Sequence, residues 1–459
     1  MPRHRLRQTL QVATITVRRC FAVWKYQMGI AAWRRNSSAG KRRRGALAAV
    51  TVPALALAPI ALSGAPAASA SISVRVTGQV AAAIPAPVQQ GMATLVRGGD
   101  TGGGGLIGPK WWQAGVAQST LVTYMQTTGD KSYESVITSA FALKGGNYIG
   151  FEDHYDDDTA WWGLAWLQAY DLMGNPKYLT TAENLAAYIH KGGWDNTCGG
   201  GVWWRRSSDV TSHSAKNAIA NELFLELTAW LYNTTHITTF KTWALDEWAW
   251  FQKVGMISNG RRFTFDKKGY TVPAGLVTDG ITKSAYNGGA CSDGKSTPDT
   301  FTYNQGVILA ALAQLYTATK DKALLSVAER IAHAVLNSAQ NAASNKLVTK
   351  NGGQGVLVEA DSSCPATSTS CAAGDGAAFK GIFVRDLKVL AVIAKTTQYN
   401  TFFKTQASSI DAHDTTNVTI SHVHYRWFGF HWNGPPKPYA IATETSALEA
   451  LIAALDLPK

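Results

Sequence analysis

The chain has 459 residues, 46% of them hydrophobic and only 16% charged, so it can bury a large core without disulfides or metals. The formal net charge of +12 is confined to the N terminus. The first 44 residues hold 12 Lys or Arg and no acid, residues 45–70 hold no charge, and from residue 71 onward 31 basic residues balance 31 acidic ones. A neutral body argues against nucleic-acid binding.

The N terminus has the pattern of a secretory signal. Four basic residues at 41–44 precede an uncharged, Ala-rich stretch that ends in Ala-Ser-Ala at 68–70. A membrane anchor is the alternative, but Pro53 and Pro59 interrupt the stretch. We therefore expect cleavage after Ala70, a single secreted domain at 71–459, and no membrane attachment. The long basic leader at 1–40 reflects either an upstream start or a twin-arginine-like export signal.

Cysteine usage agrees with export. Four cysteines follow the signal, and an even number in a secreted chain favours disulfides. Cys364 and Cys371 bracket a short loop, so we expect them to pair and leave Cys198 with Cys291. Three connectivities are possible, and a zinc site is the weaker alternative because no C-x-x-C motif is present.

The body reads as a series of helical hairpins. In each of five pairs, an almost wholly apolar helix is followed by a Gly-, Asn- or Lys-containing turn and a more one-sided helix. The first helices of these pairs are predicted at 113–124, 161–172, 218–232, 306–317 and 381–394.

A sixth pair can be built from the two ends of the body, with helices at 88–96 and 443–455. Joining them closes a ring of six inner and six outer helices, an all-α (α/α)6 toroid. An open superhelix of repeats is the alternative. The long inserts at 251–303 and 347–379 favour an enzyme with loops over one face of a ring.

Glycine-rich and aromatic segments precede several inner helices, as at 102–112, 199–204 and 302–305, and should lie together at one end of the ring as loops on the active-site face. Exposed aromatic rings stack on the apolar faces of sugars, and nearby amides bond their hydroxyls. The alternative is that many of these aromatic residues belong to the core.

An acidic cluster precedes the second inner helix: Asp156, Asp157 and Asp158. Helix capping or a Ca²⁺ loop could explain it. Catalysis is the third interpretation, because glycosidic bond cleavage needs a carboxylic acid and a second carboxylate close by. At a helix start, the first Asp can adopt non-helical dihedrals, which would let neighbouring carboxyl groups converge.

The segment from Asp157 to Leu179, with its Asp-Asp pair before Trp161-Trp162, resembles glycoside hydrolase family 76, the endo-α-1,6-mannanases. Further resemblance lies at 198–204, 216–223, 302–306, 379–385 and 445–448, so it extends in order from about Val88 to the C terminus. It implies an (α/α)6 barrel and a retaining double displacement.

The resemblance implies that Asp157 is the nucleophile and Asp158 the general acid/base. The third acid, Asp156, departs from the pattern and leaves the pair 156/157 as the weaker register. The residues expected to contact substrate are Trp111, Trp161, Trp203, Trp204, Asn217, Asn221, Tyr303 and Asn304.

We therefore expect a secreted, monomeric endo-α-1,6-mannanase that acts on α-1,6-mannan or mannooligosaccharides and needs no metal or organic cofactor. A mannan-directed transglycosidase of the same family is one alternative, although the chain ends without a hydrophobic lipid-anchor tail. A non-catalytic carbohydrate-binding toroid is another, and it would not need two acids. A lyase or epimerase would need a Tyr, His or Arg constellation that the inner helices do not suggest.

Overall fold

A computed structural model describes residues 84–99, 111–146, 148–206, 215–260, 262–265, 268–282, 299–337, 348–349, 355–359, 365 and 368–459. These residues all belong to one compact unit, Ala68–Lys459. The predicted leader and signal lie outside the described residues, so the cleavage site stays a prediction.

Six long helices form an inner ring. Each continues through at least three turns and is buried on nearly every face. They are α2 (Trp111–Thr128), α4 (Asp156–Met173), α6 (Ala218–Thr235), α8 (Thr302–Thr319), α11 (Gly376–Ala394) and α13 (Ile441–Ala453). Five of these six contain the predicted inner segments of the hairpins, and the sixth covers the predicted C-terminal helix at 443–455 except its last two residues.

Six further helices pack outside this ring. They are α1 (Ala86–Gly99), α3 (Glu134–Ala142), α5 (Pro176–Gly193), α7 (Thr238–Lys253), α9 (Lys322–Asn337) and α12 (Asn400–His413). A four-residue helix, α10 (Thr369–Ala372), and two 3₁₀ turns, Ile149–Phe151 and Thr197–Gly199, complete the helical elements of the described residues.

The inner helices close a ring. Helix α2 packs on α4, α4 on α6, α6 on α8, α8 on α11, α11 on α13, and α13 back on α2. Helix α1 packs against α13, so the two ends of the body form the sixth pair. The all-α (α/α)6 prediction is therefore confirmed, and the open superhelix is wrong.

Burial explains why the two rings differ in sequence. Helix α4 buries consecutive residues from Thr159 to Leu167 because helices flank it on both sides and outside. Helix α5 buries Tyr178, Ala182, Leu185 and Ile189, which recur at three- and four-residue spacing on one face. An inner helix therefore needs an apolar surface all round, whereas an outer helix needs one stripe.

Within the described residues, short strands form four antiparallel pairs. They are β1 (Ala215–Asn217) with β4 (Gly280–Thr282), β2 (Arg262–Phe265) with β3 (Lys268–Thr271), β5 (Val348–Thr349) with β6 (Val356–Leu357), and β7 (Thr415–Ile420) with β8 (Val423–Phe428). The register aligns Asn217 with Gly280 and Thr415 with Phe428. Our sequence reading predicted none of these strands.

All six inner helices point the same way, because an antiparallel outer helix separates each from the next. Their N termini therefore share one end of the ring. Contacts across that end confirm the convergence: Trp112 in α2 bonds Asp375 before α11, and Tyr303 in α8 stacks on Phe379 in α11. The predicted Gly/aromatic face exists where the described residues cover it.

Cys198 and Cys371 are each disulfide-bonded. Cys291 and Cys364, their expected partners, lie outside the described residues. The pairing itself therefore stays a prediction.

Close contact between α11 and α13 depends on a glycine. A Cβ atom on Gly381 would lie 2.4 Å from the Cα of Ser446 and 2.5 Å from its carbonyl oxygen. The Gly381 amide also donates to the Ser446 hydroxyl at 2.9 Å. The two backbones meet here without room for a methyl group.

We expect Gly381→Ala to lower the free energy of unfolding by about 1–3 kcal/mol, because overpacking forces the two helices apart. The matched control is Gly376→Ala in the same helix, where the nearest atom to a Cβ is 4.0 Å away. That control should be neutral or stabilising. Denaturant unfolding of both variants tests the prediction, and equal loss of stability in the two would contradict it.

Candidate active site

The acidic cluster lies inside the first turn of α4. Tyr155 is the N-cap with extended dihedrals, and Asp156, Asp157 and Asp158 are the first three helical residues. The expectation of non-helical dihedrals at the first Asp is therefore wrong. Because consecutive residues in a helix are rotated by about 100°, the three carboxyl groups face different surroundings.

Asp156 faces away from the cleft. It is fully buried and lies 2.6 Å from the guanidinium of Arg206, which stacks on the Tyr188 ring at 3.5 Å. Burial raises the pKa of Asp156 to about 8, although Arg206 favours the carboxylate. Its ion pair ties α4 to the loop after Trp204, which favours 157/158 over 156/157 as the reactive pair.

Asp157 points into the end of the ring where the N termini meet. Its Oδ2 accepts a hydrogen bond of 3.0 Å from the indole N–H of Trp204. Burial raises the pKa of Asp157 to about 7, and the nearby Asp375 adds to the increase. The Trp204 N–H and backbone amides at the helix start oppose this shift because they stabilise the carboxylate.

Asp158 is half-buried on the neighbouring face of the helix. Burial raises the pKa of both Tyr148 and Tyr155, and the charge of Asp158 contributes to each increase. The charge of Asp158 therefore acts on these two tyrosines, whereas Asp157 is bonded to Trp204. The two neighbouring carboxyl groups occupy different environments at one end of the ring.

Trp204 links its loop to the start of α4 twice. Its carbonyl accepts from the amide of Asp156 at 3.0 Å, and its indole donates to Asp157. Its ring also packs on Tyr155, with centroids 5.0 Å apart. The predicted site residue Trp204 therefore touches Asp157 directly.

A group of packed aromatic rings lies at the same end of the ring as the acids. Tyr303 and Phe379 stack in parallel with centroids 3.7 Å apart, and Trp112 lies against Phe379 at 6.3 Å. Burial raises the pKa of Tyr303, and the charges of Asp279 and Asp157 add to the effect. Of this group, the sequence prediction included only Tyr303.

Two carboxyl groups of the cleft were not among the predicted residues. Asp375 precedes α11 and accepts from the Trp112 indole at 3.2 Å. Asp279 accepts from the Asn304 amide at 3.0 Å, and burial raises its pKa to about 6. An acid directly before an inner helix was a usable signal for Asp375. Asp279 had no such signal, because the pairing of β1 with β4 places it.

Tyr148 and Trp111 form a second aromatic surface. The two rings stack with centroids 4.6 Å apart, and Tyr148 is 36% exposed. Trp111 is largely buried because Trp162 and Phe151 pack against it. Tyr148 presents the accessible ring of this pair, and our sequence reading did not single it out.

Several predicted substrate-contact residues are buried, and their side chains contact other parts of the protein. Trp203 donates to Asp195 at 2.9 Å, and Trp161 packs on Trp112 and Arg385. Asn221 exchanges hydrogen bonds with the backbone of Val202.

Asn217 and Asn304 sit closer to the cleft. Asn217 caps α6 by accepting from Ala220, and the side-chain amide of Asn304 holds Asp279. The structure therefore brings Asp157, Asp158, Trp204 and Tyr303 together at the cleft. Asn304 is fully buried and holds Asp279 there, and Trp203, Trp161 and Asn221 are buried beneath it.

The described residues contain neither a metal-ligand cluster nor a membrane-spanning helix. No group of three His, Cys, Asp or Glu among them is arranged to hold a metal ion. None of their helices is long and apolar enough to cross a membrane. The expectation that no cofactor is needed stays a prediction.

A closed ring of six helix pairs with adjacent carboxylates in an aromatic cleft is typical of carbohydrate-active enzymes. The comparison with known families agrees: residues 83–457 match the model of glycosyl hydrolase family 76. The chain belongs to this family of glycoside hydrolases.

Curated relatives include mannan endo-1,6-α-mannosidase DCW1 of Candida albicans, 29% identical over 64% of this chain and 62% of that protein. DCW1 of Saccharomyces cerevisiae is 26% identical over 76% of this chain and 73% of that protein. The chain thus spans between three fifths and three quarters of these relatives' lengths.

Among solved structures, an inactive α-1,6-mannanase GH76A of Salegentibacter sp. superposes with a TM-score of 0.61 at 22% identity. The match covers 80% of this chain and 97% of that one. In that protein two consecutive aspartates are replaced by alanine, and it holds α-1,6-mannotetrose. This similarity shows the shared fold.

We expect Trp204→Phe to raise the pKa of Asp157 above about 7, because the lost N–H no longer stabilises the carboxylate. Trp230→Phe is the matched control, since the Trp230 indole donates to Asp171 at 3.1 Å, at the other end of α4. It should raise the pKa of Asp171 instead.

The measurement is the pH titration of ¹³C-labelled Asp carboxyl signals, with Asp157→Asn identifying the relevant resonance. An unchanged Asp157 titration in Trp204→Phe would contradict the assigned hydrogen bond.

Proposed function

We propose that the protein is an endo-acting hydrolase of α-1,6-linked mannan that works with retention of configuration. The observation that carries the proposal is the pair Asp157 and Asp158 in the first turn of α4, with the Trp204 indole bonded to Asp157. The names of the curated relatives and the mannotetrose held by the Salegentibacter enzyme support the substrate class.

Asp157 and Asp158 take the two roles that a double displacement needs. Protonated Asp158 donates its proton to the glycosidic oxygen, which leaves as a hydroxyl. The Asp157 carboxylate attacks the anomeric carbon and forms a glycosyl-enzyme. Asp158 then removes a proton from water, whose oxygen displaces Asp157 and restores the original configuration.

The surroundings of Asp157 affect both the basicity of its carboxylate and the fraction that is ionised. Burial raises its pKa to about 7, which makes the ionised carboxylate more basic and more nucleophilic but lowers the ionised fraction. The Trp204 N–H offsets part of that loss because it stabilises the charged form. The helix start alone does not set the pKa, because desolvation outweighs it.

The aromatic surfaces suit the sugar rings on either side of the scissile bond. Tyr303 on Phe379 and Tyr148 on Trp111 offer flat faces to the apolar C–H groups of mannose, and Asn304 and Asp279 offer hydrogen bonds to hydroxyls. We include Trp111, Trp204 and Asn217 in the substrate-binding set, and regard Trp161, Trp203 and Asn221 as its supporting layer.

The predicted signal at the N terminus supports secretion of the domain 71–459, where a polymeric mannan is accessible. We propose that it acts outside the cell as a monomer.

The first experiment incubates residues 71–459 with debranched α-1,6-mannan and separates the products by chromatography. We expect short α-1,6-mannooligosaccharides from the wild type, and a loss of at least about 10³-fold in kcat for Asp157→Asn and Asp158→Asn, since each removes a reacting group.

Asp171→Asn is the matched control, about 21 Å further along the same helix, and should retain activity. Mannan bound but uncut by the wild type would overturn the hydrolase and favour the carbohydrate-binding toroid. Products longer than the starting chains would favour a transglycosidase.

A rescue experiment separates the two roles. With an aryl α-1,6-mannobioside carrying a good leaving group, azide should restore turnover of Asp158→Ala and give the α-mannosyl azide, because the glycosyl-enzyme still forms. In Asp157→Ala, azide attacks directly and gives the β-azide. Nuclear magnetic resonance of the anomeric proton reads the configuration, and the reverse pattern would exchange the roles.

A further inference from the structure

Lys216 is a buried charge outside the reacting groups. It lies in β1, its side chain is fully buried, and its ammonium packs 5.0 Å from the Trp203 ring and 5.9 Å from the Trp250 ring. Burial lowers its pKa, and Asp195 and Glu247 oppose that change. Burying a charge is costly unless its partners satisfy it.

Four short contacts join the Lys216 ammonium to one loop. The Nζ atom donates to the carbonyls of Gly200 at 2.6 Å and Thr197 at 2.9 Å, and to the Asp195 carboxylate at 2.7 Å. The Asp195 carbonyl lies at 3.2 Å. The three shortest contacts match the three N–H groups of an ammonium.

The same loop ends at the indole that holds Asp157. Four residues after Gly200 comes Trp204, whose amide donates to the carbonyl of Ala215, the residue before Lys216. Asn221 holds Val202 between these two points. Hydrogen bonds therefore join the loop to β1 at both of its ends, through Lys216 and through the Trp204 amide, and this network holds Trp204 in position.

We propose that Lys216 is a positioning residue for the reaction: its ammonium clamps the loop 195–204 and thereby keeps the Trp204 indole on Asp157. The proposal rests on the proposed function for its catalytic consequence, whereas the clamp itself is testable without turnover. An apolar residue at 216 would remove the ammonium's bonds to the loop, among them the 2.6 Å bond to the Gly200 carbonyl, so the loop would shift and Trp204 would move with it.

Lys216→Met tests the clamp directly. Hydrogen–deuterium exchange should accelerate at the amides of Val202, Trp203 and Trp204, which are bonded in the wild type. Lys388→Met is the matched control, because Lys388 is a half-buried lysine that also donates to a main-chain carbonyl, that of Ala453. The control should leave exchange in the loop unchanged.

Activity of the same variants tests the positioning role. Lys216→Met should lower kcat about 10- to 100-fold and change KM far less. Asp157 would lose its Trp204 hydrogen bond, whereas the surface that binds the sugar would stay intact. The acidic limb of the pH profile should move to higher pH, as in Trp204→Phe. Combined with Trp204→Phe, Lys216→Met should add almost nothing.

Asp157 lies among other groups that bear on this profile, namely Asp156, Asp158, Asp375, Tyr155 and Tyr303. None of them contacts the Lys216 side chain in the bonds above, so a shift caused by Lys216→Met is carried by the loop. Should Lys216→Met fail to fold, Asp195→Asn weakens the same clamp and should shift the limb in the same direction by a smaller amount.

Two results would overturn the proposal. One is a normal exchange rate in the loop of Lys216→Met. The other is a fully additive loss with Trp204→Phe and an unmoved pH profile, which would make Lys216 a stability residue alone. Failure of the wild type to cut mannan would overturn the proposed function instead, since exchange in the loop does not depend on turnover.

Discussion

Closure of the inner ring sets the direction and the burial of every inner helix. Six apolar helices can bury all their faces only if the last packs against the first, and here α13 packs on both α11 and α2. Because every inner helix then points the same way, six N termini meet at one end. Partial positive charge and unpaired amides accumulate there, in a setting suited to carboxylates.

The three acids of the first turn of α4 have different surroundings because each residue is rotated about the helix axis relative to the one before it. Asp156 pairs with Arg206, Asp157 is bonded to Trp204, and Asp158 is half-buried beside them in the same turn. The first acid fastens the helix to a loop, and the next two are presented to the cleft. The clamp at Lys216 has a similar effect, because its buried charge lies outside the cleft and positions the Trp204 side chain within it.

The hairpins were predictable because their signals are local. All-round apolar helices such as α4 alternate with one-sided helices such as α5, and turn residues separate them. The Asp-Asp pair was also predictable, since its resemblance lies in neighbouring residues. The start of α4 at Asp156 was not, because Tyr155 takes the N-cap position through its bridge to Arg205.

The helix pairs and the acids before the second inner helix could be predicted from the chain alone, because periodicity and adjacency are local properties. Closure of the ring, and the choice of aromatic residues that face the cleft, came from the packing of the helices. Trp203 and Trp204 are neighbours, yet one is buried on Asp195 and the other touches Asp157. Asp279 and Asp375 reach the site from segments distant in sequence, so only packing could bring them together.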